Sequence, residues 1–452
     1  MGERIKASRY NHFVEIEDGK RLAFNALSCG LAEMDAENYR RYCELIERGE
    51  LNGDGQDDFV ANLKKGGMVV PVEVDELDGI RAAHYIARFG QKGLGLTIVP
   101  TQRCNFACDY CYENKDLHSM RPDRGGLMSE EICKNLVQYC EKQLSKKTGL
   151  SVTWYGGEPL LAKQVIKRLT IEFERICKEK DATYSAGMIT NGYLLDAATV
   201  DWIVEQHIRS VQVTIDGPRE VHDVRRPLTS GKGTFDVIIA NIDRIPDDKK
   251  LRVGLRVNID DRNSSSVCDL LQVFQEHGWH ARSNVTLHFG HVLEYAGACL
   301  SMGSHCMGGK EFAQFLVDAY QAALDLGFRN VDYPSQMPTS CAAVGLGSHV
   351  IEPNGDVQAC WTAIGHRDKR IGVLDESGIK YTDSHLKWLG WSMFQQPMGC
   401  TSCSLLPVCM GGCPFKSIYP EDIKDSYAEA CTSFRHNLPA MLQLTRLEKS
   451  NQ

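Results

Sequence analysis

Several things are scarce in this chain. Nowhere in its 452 residues does an apolar run reach the length of a membrane-spanning helix, so no helical span and no membrane partner are expected. The opening Met1-Gly-Glu-Arg-Ile-Lys6 has no apolar core behind it, so no secretory signal is expected. Lys6 stands where N-myristoylation requires Ser or Thr. Positive charge is short as well. A net charge of -8 argues against a dedicated nucleic-acid binder, which is usually basic. No GxGxxG fingerprint follows the first predicted strand of the central region, which lowers a dinucleotide reading. There is no chain-wide repeat and no low-complexity segment. These absences leave a cytoplasmic, globular protein as the expectation.

Cysteine is abundant. Eighteen occur, many in CxxC-like spacings. Without an export signal, metal or cluster binding in a reducing compartment accounts for them better than disulfides do. Hydrophobic residues at 43% and charged residues at 24% are ordinary for a soluble globular protein. The length predicts two or three domains.

Residues 1–92 read as a small N-terminal domain. His12–Asn25 alternates around Asp18-Gly19, a hairpin signal. Asp35–Ile46 has helical spacing and Gly67–Val74 is strand-like, a combination that suits a winged-helix-like module. Residues 93–312 alternate strand and helix. Strands are expected at 94–101, 150–155, 183–189, 210–215, 251–259 and 284–289, with helices at 129–146, 160–178, 196–207 and 264–277. Such βα units predict a parallel sheet with helices outside, as a doubly wound sheet or an incomplete barrel. Residues 291–312, rich in Gly, Cys, Met and His, read as a linker. Residues 313–452 hold a helix at 313–327 and then a loop-rich region with seven cysteines between 341 and 431.

The most informative string is Cys104-Asn-Phe-Ala-Cys108-Asp-Tyr-Cys111, just past the first central strand. Three thiolates on one short loop hold three corners of a four-iron cluster and leave the fourth iron to a ligand that is not protein. A structural zinc site prefers four protein ligands; Cys133 or Cys140 is the available fourth on that reading. Other polar loops fall at the same strand ends: Gly156-Gly157-Glu158-Pro159, Thr190-Asn191-Gly192 and Thr214-Ile-Asp216-Gly-Pro218. In barrel-type α/β folds that edge carries the chemistry.

The loop resembles the signature of the radical S-adenosylmethionine (SAM) superfamily, CxxxCxΦC, with Tyr110 as the aromatic. The resemblance implies a partial (β/α)6 TIM-like barrel and a [4Fe-4S] cluster whose open iron is chelated by SAM. By motif, Gly156, Gly157 and Glu158 hold the SAM amino group, with Glu158 supplying a carboxylate to the cationic ligand. Thr214 and Arg226 meet the SAM carboxylate, and Asn191 and Asp216 are neighbours of the site. A reduced cluster then cleaves SAM to a 5′-deoxyadenosyl radical.

The distal cysteines are spaced Cys341-x13-Gly355-x4-Cys360, then Cys400-x2-Cys403-x5-Cys409-x3-Cys413, then Cys431. This resembles the C-terminal, cysteine-rich SPASM extension of radical SAM enzymes and implies two auxiliary [4Fe-4S] clusters, three clusters in all. By that resemblance Cys341, Cys360 and Cys413 bind the nearer one, and Cys400, Cys403, Cys409 and Cys431 the outer one. The nearer cluster then lacks a cysteine or borrows Cys299 or Cys306. The alternative is a pair of zinc ribbons, with His349 or His366 filling in. Cys29, Cys43, Cys133, Cys140, Cys177 and Cys268 are expected as small buried hydrophobes.

Enzymes of this resemblance mostly modify peptides. The expected function is a peptide maturase that forms a thioether or C–C crosslink in a ribosomally made precursor peptide, drawing electrons from a flavodoxin or ferredoxin. The N-terminal module then recognises the leader peptide by strand addition. A sulfatase maturase (formylglycine-forming) and a small-molecule radical enzyme are the alternatives, and a non-enzymatic zinc protein is the alternative of another class. The sulfatase-maturing branch usually has Asp after the second SPASM cysteine, where this chain has Trp361. No general base is named by the sequence.

Overall fold

The structure is a computed structural model that describes residues 3–51, 57–90, 93–113, 126–248, 250–293, 305–329, 331–395, 399–422 and 430–450. The N-terminal unit runs β1 (Glu3–Ala7), β2 (Asn11–Glu15), β3 (Arg21–Asn25), β4 (Gly30–Met34), α1 (Ala36–Arg48), β5 (Glu50–Leu51), α2 (Asp58–Lys65), β6 (Val69–Pro71) and α3 (Glu76–Phe89). The predicted hairpin is β2–β3, paired His12 to Phe24. It turns through Asp18 and Gly19, both at positive φ, as an Asp-Gly turn favours. The strand expected at 67–74 is shorter, covering only β6, which pairs with β1 from Val69 to Pro71.

The central region comprises β7 (Leu94–Ile98), α4 (Glu130–Gln143), β8 (Gly149–Trp154), α5 (Lys163–Glu179), β9 (Thr183–Thr190), α6 (Ala197–Glu205), β10 (Ile208–Thr214), α7 (Arg219–Arg225), α8 (Phe235–Asp243), β11 (Arg252–Ile259), α9 (Val267–Glu276) and β12 (Val285–His291). Neighbouring strands pair in parallel and in chain order from β7 to β12. A doubly wound sheet reverses its strand order partway; this one does not, so the barrel-like alternative holds. Part of the expected 291–312 linker, residues 294–304 with Cys299, lies outside the described residues.

Burial along these strands is one-sided. In β11, Val253, Leu255, Val257 and Ile259 are buried, while Gly254, Arg256 and Asn258 between them are half-exposed. Parallel strands are usually covered on both faces. Here the outer face packs on helices and the inner face is left polar and accessible.

The last part contains α10 (Gly309–Asp325), β13 (Ser348–Ile351), β14 (Asp356–Gln358), β15 (Gly372–Asp375), β16 (Gly378–Tyr381), α11 (Asp383–Gly390), α12 (Leu406–Cys409), α13 (Pro414–Ile418) and α14 (Phe434–Ser450). β13 pairs in parallel with β7, Ser348 to Gly95 through Ile351 to Ile98, and β14–β16 follow antiparallel. The cysteine-rich segment is thus hydrogen-bonded into one ten-stranded sheet with the barrel.

Arg88, 2% exposed on α3, joins the N-terminal unit to this segment. Its guanidinium donates to the carbonyls of Val344 (2.9 Å), Trp391 (2.8 Å) and Leu389 (2.8 Å). Those carbonyls have no strand partner, and the cation satisfies them where an unmet acceptor would be costly. At the other end of the unit, Arg9 donates to the Thr401 carbonyl (2.5 Å), between Cys400 and Cys403.

Candidate functional site

The C-terminal ends of the barrel strands surround a cavity of about 320 Å³. The loop after β7 brings Cys104, Cys108, Tyr110 and Cys111 to its wall; β8 brings Gly156 and Gly157. Asn191 follows β9, Thr214 ends β10 and Arg226 follows α7. The structure therefore gathers nine of the sequence-predicted residues at one place, although they span more than a hundred positions.

The β7 and β8 loops are in close contact. The Glu158 N–H donates to the Arg103 carbonyl at 2.9 Å. A Cβ on Gly157 would lie 2.4 Å from that same oxygen, closer than any side chain tolerates, so glycine is required for the approach. Gly156 holds a φ of 115°.

Glu158 and Asp216 sit directly behind the cavity wall. Neither is on the wall of the cavity, and each is fully buried. The Glu158 carboxylate accepts from the N–H groups of Leu160 (3.0 Å) and Asn191 (2.8 Å) and from the Thr190 hydroxyl (2.9 Å). Burial raises its pKa and those three donors oppose the rise. The carboxylate thereby ties the β8 and β9 loops together. Asp216 likewise accepts from the Tyr110 hydroxyl and from the Asn258 N–H (2.8 Å). It faces Arg226 at 3.8 Å.

Arg226 is 7% exposed, and its Nη1 donates to the Tyr110 hydroxyl. Its Nε has no hydrogen-bond partner. A buried guanidinium N–H left over on a cavity wall is a donor awaiting a ligand. Behind it, Arg225 Nη1 donates to both carboxylate oxygens of Asp260 (2.9 and 2.9 Å). Arg262 bridges Asp260 (2.8 Å) to Asp109 (2.6 Å) on the cysteine loop.

The three thiols interact with one another electrostatically. Burial pushes the Cys104 thiol up to about 12, with Glu158 and Cys108 adding to the rise. Among the described residues no three His, Cys, Asp or Glu side chains converge as ligands of a single ion, whereas a four-iron cluster takes thiolates at separate corners.

Sequence reasoning did not single out several lining residues. Glu113 follows the cysteine loop; its Oε2 is buried without a partner, and burial with the charge of Glu352 pushes its pKa up to about 8. Tyr112 and Tyr155 share a hydroxyl hydrogen bond. The Tyr155 ring lies 5.7 Å from that of Trp361, which comes from the C-terminal segment. Arg256 and Asn258 come from β11. Their signal was available in the period-two alternation Arg252-Val-Gly-Leu-Arg256-Val-Asn258-Ile259, which in a parallel strand marks an uncovered face.

The distal cysteines fall into two groups. Cys341 and Cys360 flank the β13–β14 pair. Burial raises both thiols, Cys360 to about 12, and the charge of Cys413 adds to each. Burial raises Cys400 to about 11, followed by the charges of Cys409, Cys431 and Cys403. Arg435 Nη1 lies 3.2 Å from the Cys431 sulfur. Cys306 lies elsewhere, beside Asp261 at the end of β11, where the Asp261 N–H bonds the His305 carbonyl at 3.0 Å. His349, a candidate zinc ligand, instead bonds the hydroxyls of Tyr139 (3.5 Å) and Tyr381 (3.0 Å). Of the cysteines expected as buried hydrophobes, Cys133, Cys140 and Cys177 are buried, Cys29 and Cys43 are half-buried, and Cys268 is exposed.

Comparisons with known proteins cover the barrel region that carries the three-thiol loop. Residues 98–273 match the model of the radical SAM superfamily. The radical SAM cyclopropyl synthase TigE of Paramaledivibacter caminithermalis is 21% identical over 450 residues, covering 90% of this chain and 89% of TigE. The serine-type anaerobic sulfatase-maturating enzyme of Bacteroides thetaiotaomicron is 24% identical, covering 69% of this chain and 80% of that enzyme. The solved structure of native anSMEcpe with bound AdoMet and Cp18Cys peptide has a TM-score of 0.58 at 19% identity, over 78% of this chain and 99% of that one. Streptococcus suis SuiB bound to precursor peptide SuiA has a TM-score of 0.51 at 16% identity, over 95% and 99%. These structural likenesses show the fold. Among the described residues no helix is long and apolar enough to cross a membrane.

Proposed function

We propose that this chain, a radical SAM protein through its domain at 98–273, modifies a ribosomally made precursor peptide by a thioether or C–C side-chain crosslink. One observation carries the reading: the three-thiol loop, the glycine loop, Thr214 and Arg226 share a single cavity with Trp361 of the distal cysteine segment.

The superfamily implies SAM and a [4Fe-4S] cluster, and the residues fit both. Three thiols face the cavity from one loop, and a buried Arg226 Nε awaits an acceptor. Cys104, Cys108 and Cys111 would hold the cluster. Backbone at Gly156 and Gly157 would receive the amino end of SAM, with Asn191 beside it, and Thr214 and Arg226 its carboxylate. Together, when bound, these groups supply reductive cleavage of SAM to a 5′-deoxyadenosyl radical.

The protein's own work is orientation and exclusion of water. Tyr110 and Asp216 fix the Arg226 guanidinium, a preorganised cation for the carboxylate. Glu158 ties the glycine loop to Asn191. Tyr112, Tyr155 and Trp361 give the cavity an apolar, aromatic side, which limits quenching of a reactive intermediate by solvent. We assign Cys341, Cys360 and Cys413 to a nearer auxiliary cluster, and Cys400, Cys403, Cys409 and Cys431 to an outer one. The N-terminal unit, residues 1–92, is proposed to bind the leader. Its β2–β3–β4 sheet ends at edge strands, which suits β-strand addition.

Likeness to the sulfatase-maturating enzyme supports a second reading, formylglycine formation. Trp361 weighs against it, since a tryptophan supplies no base. The two separate on one experiment: anaerobic turnover of the full chain with SAM, reductant and synthetic precursor peptides encoded beside its gene. The crosslink reading expects 5′-deoxyadenosine formed in step with a peptide that has lost two hydrogens and carries no aldehyde. A hydrazide-reactive aldehyde in the product assigns the formylglycine reading instead.

A further inference from the structure

Arg256 projects from the inner face of β11 to the cavity wall. Its guanidinium is seated deliberately by its surroundings. Nε donates to Asn258 Oδ1 at 2.7 Å. Asn258 is itself held: its Nδ2 donates to the Tyr110 hydroxyl at 3.1 Å and its N–H to Asp216 at 2.8 Å. On the other side lies Gly290 of β12, where a Cβ would come within 2.1 Å of Arg256 Nη2 and 2.4 Å of Cζ. The guanidinium therefore lies against bare backbone, in space that any side chain would fill.

Among the described residues its charge is uncompensated. Arg225 and Arg262 share Asp260, and Arg226 faces Asp216. Arg256 forms no ion pair among the described residues. The one carboxylate on the described cavity wall, Glu113, makes none with it either. A cation without an anion on the wall of a partly enclosed site attracts one more strongly than an exposed cation does.

We propose that Arg256 binds a carboxylate of the peptide substrate, an Asp or Glu side chain close in sequence to the residue that reacts. This rests on the peptide-modifying reading above. SAM brings a single carboxylate, and that already has a cation in Arg226, which lies in the field of Cys108 and keeps an unpartnered Nε. A guanidinium with both Nη atoms free of hydrogen bonds to the described residues matches a carboxylate with two parallel hydrogen bonds. The facing Tyr155 and Trp361 rings offer an apolar surface to the rest of the segment.

Phenylglyoxal, which modifies unpaired arginines, tests this in the cluster-loaded full-length protein saturated with SAM, read by peptide mass mapping. Arg256 is expected to react, and a pool of C-terminally amidated hexapeptides, with uncharged residues randomised around one fixed Glu, should slow its modification about tenfold. The same pool built around Gln should not. Gly290→Ala moves only the end of a flexible side chain, so it should keep the fold and SAM affinity yet lose the Glu-over-Gln difference. An Arg256 that is inert once SAM is bound, or equal protection by the two pools, overturns the proposal. Stronger protection by free glutarate than by the Glu pool keeps an anion site at Arg256 and removes the peptide reading.

Discussion

Replacing Cys104, Cys108 and Cys111 together by alanine is expected to bring 5′-deoxyadenosine formation under strong reductant down to the level of a protein-free control. Iron in the anaerobically reconstituted protein should fall by about four atoms per chain, with the rest retained at the distal cysteines. The reason is local. The three thiols face one cavity from one loop, and no other cysteine lines it among the described residues. The distal groups sit around β13–β14 and α12–α13, so the loss should not spread to them. Iron assay and product chromatography on the same sample check both halves. Persistent 5′-deoxyadenosine formation would sink the assignment.

The second large effect concerns stability. Asp260 is fully buried between Arg225, 3% exposed, and the exposed Arg262. Asp260→Asn strands a buried guanidinium and is expected to cost about 3–5 kcal/mol, read as a drop in the urea midpoint of unfolding. The variant should also loosen the cysteine loop, because Arg262 reaches Asp109 there. The pH dependence has a definite sign. Burial pushes the Asp260 pKa up, but hydrogen bonds from Arg262 and Arg225 with their charges outweigh it, and the carboxyl is held below its ordinary value. A depressed pKa means the contribution is complete above the unfolded value of about 4 and is lost as pH falls through the folded value. The gap between wild type and variant should stay level from neutral pH to about 5 and close below about 4.

Much of this molecule was legible in its sequence, for physical reasons. The central strands announced themselves because their outer faces must be apolar to pack on helices, as in Val253-Gly-Leu255-Arg-Val257. The first hairpin was marked by Asp18-Gly19, which adopts positive φ at both positions. The cysteine loop and Gly156-Gly157 were visible as motifs, and they do meet at one cavity. What stayed hidden depends on contacts far apart in the chain. The parallel pairing of β13 with β7 joins segments some 250 residues apart, and a four-residue strand carries too little pattern to predict it. Arg88 carries no motif, yet it serves carbonyls on a segment that sequence reading left as loop. Glu158 was visible as part of the glycine motif; the hydrogen bonds it accepts from Asn191 and Leu160 emerge only in the fold. Arg256 had no motif, and its importance emerges from the glycine beside it on the next strand.

The central claim is that one cavity at the strand ends holds SAM against an iron that no residue of this chain ligates. Electron–nuclear double resonance on the reduced protein, with SAM labelled at the methionine nitrogen with 15N and at the carboxylate with 17O, tests it most directly. The account predicts both couplings in the wild-type protein and neither in the triple alanine variant. Bound SAM that shows no coupling to the cluster spin would contradict it.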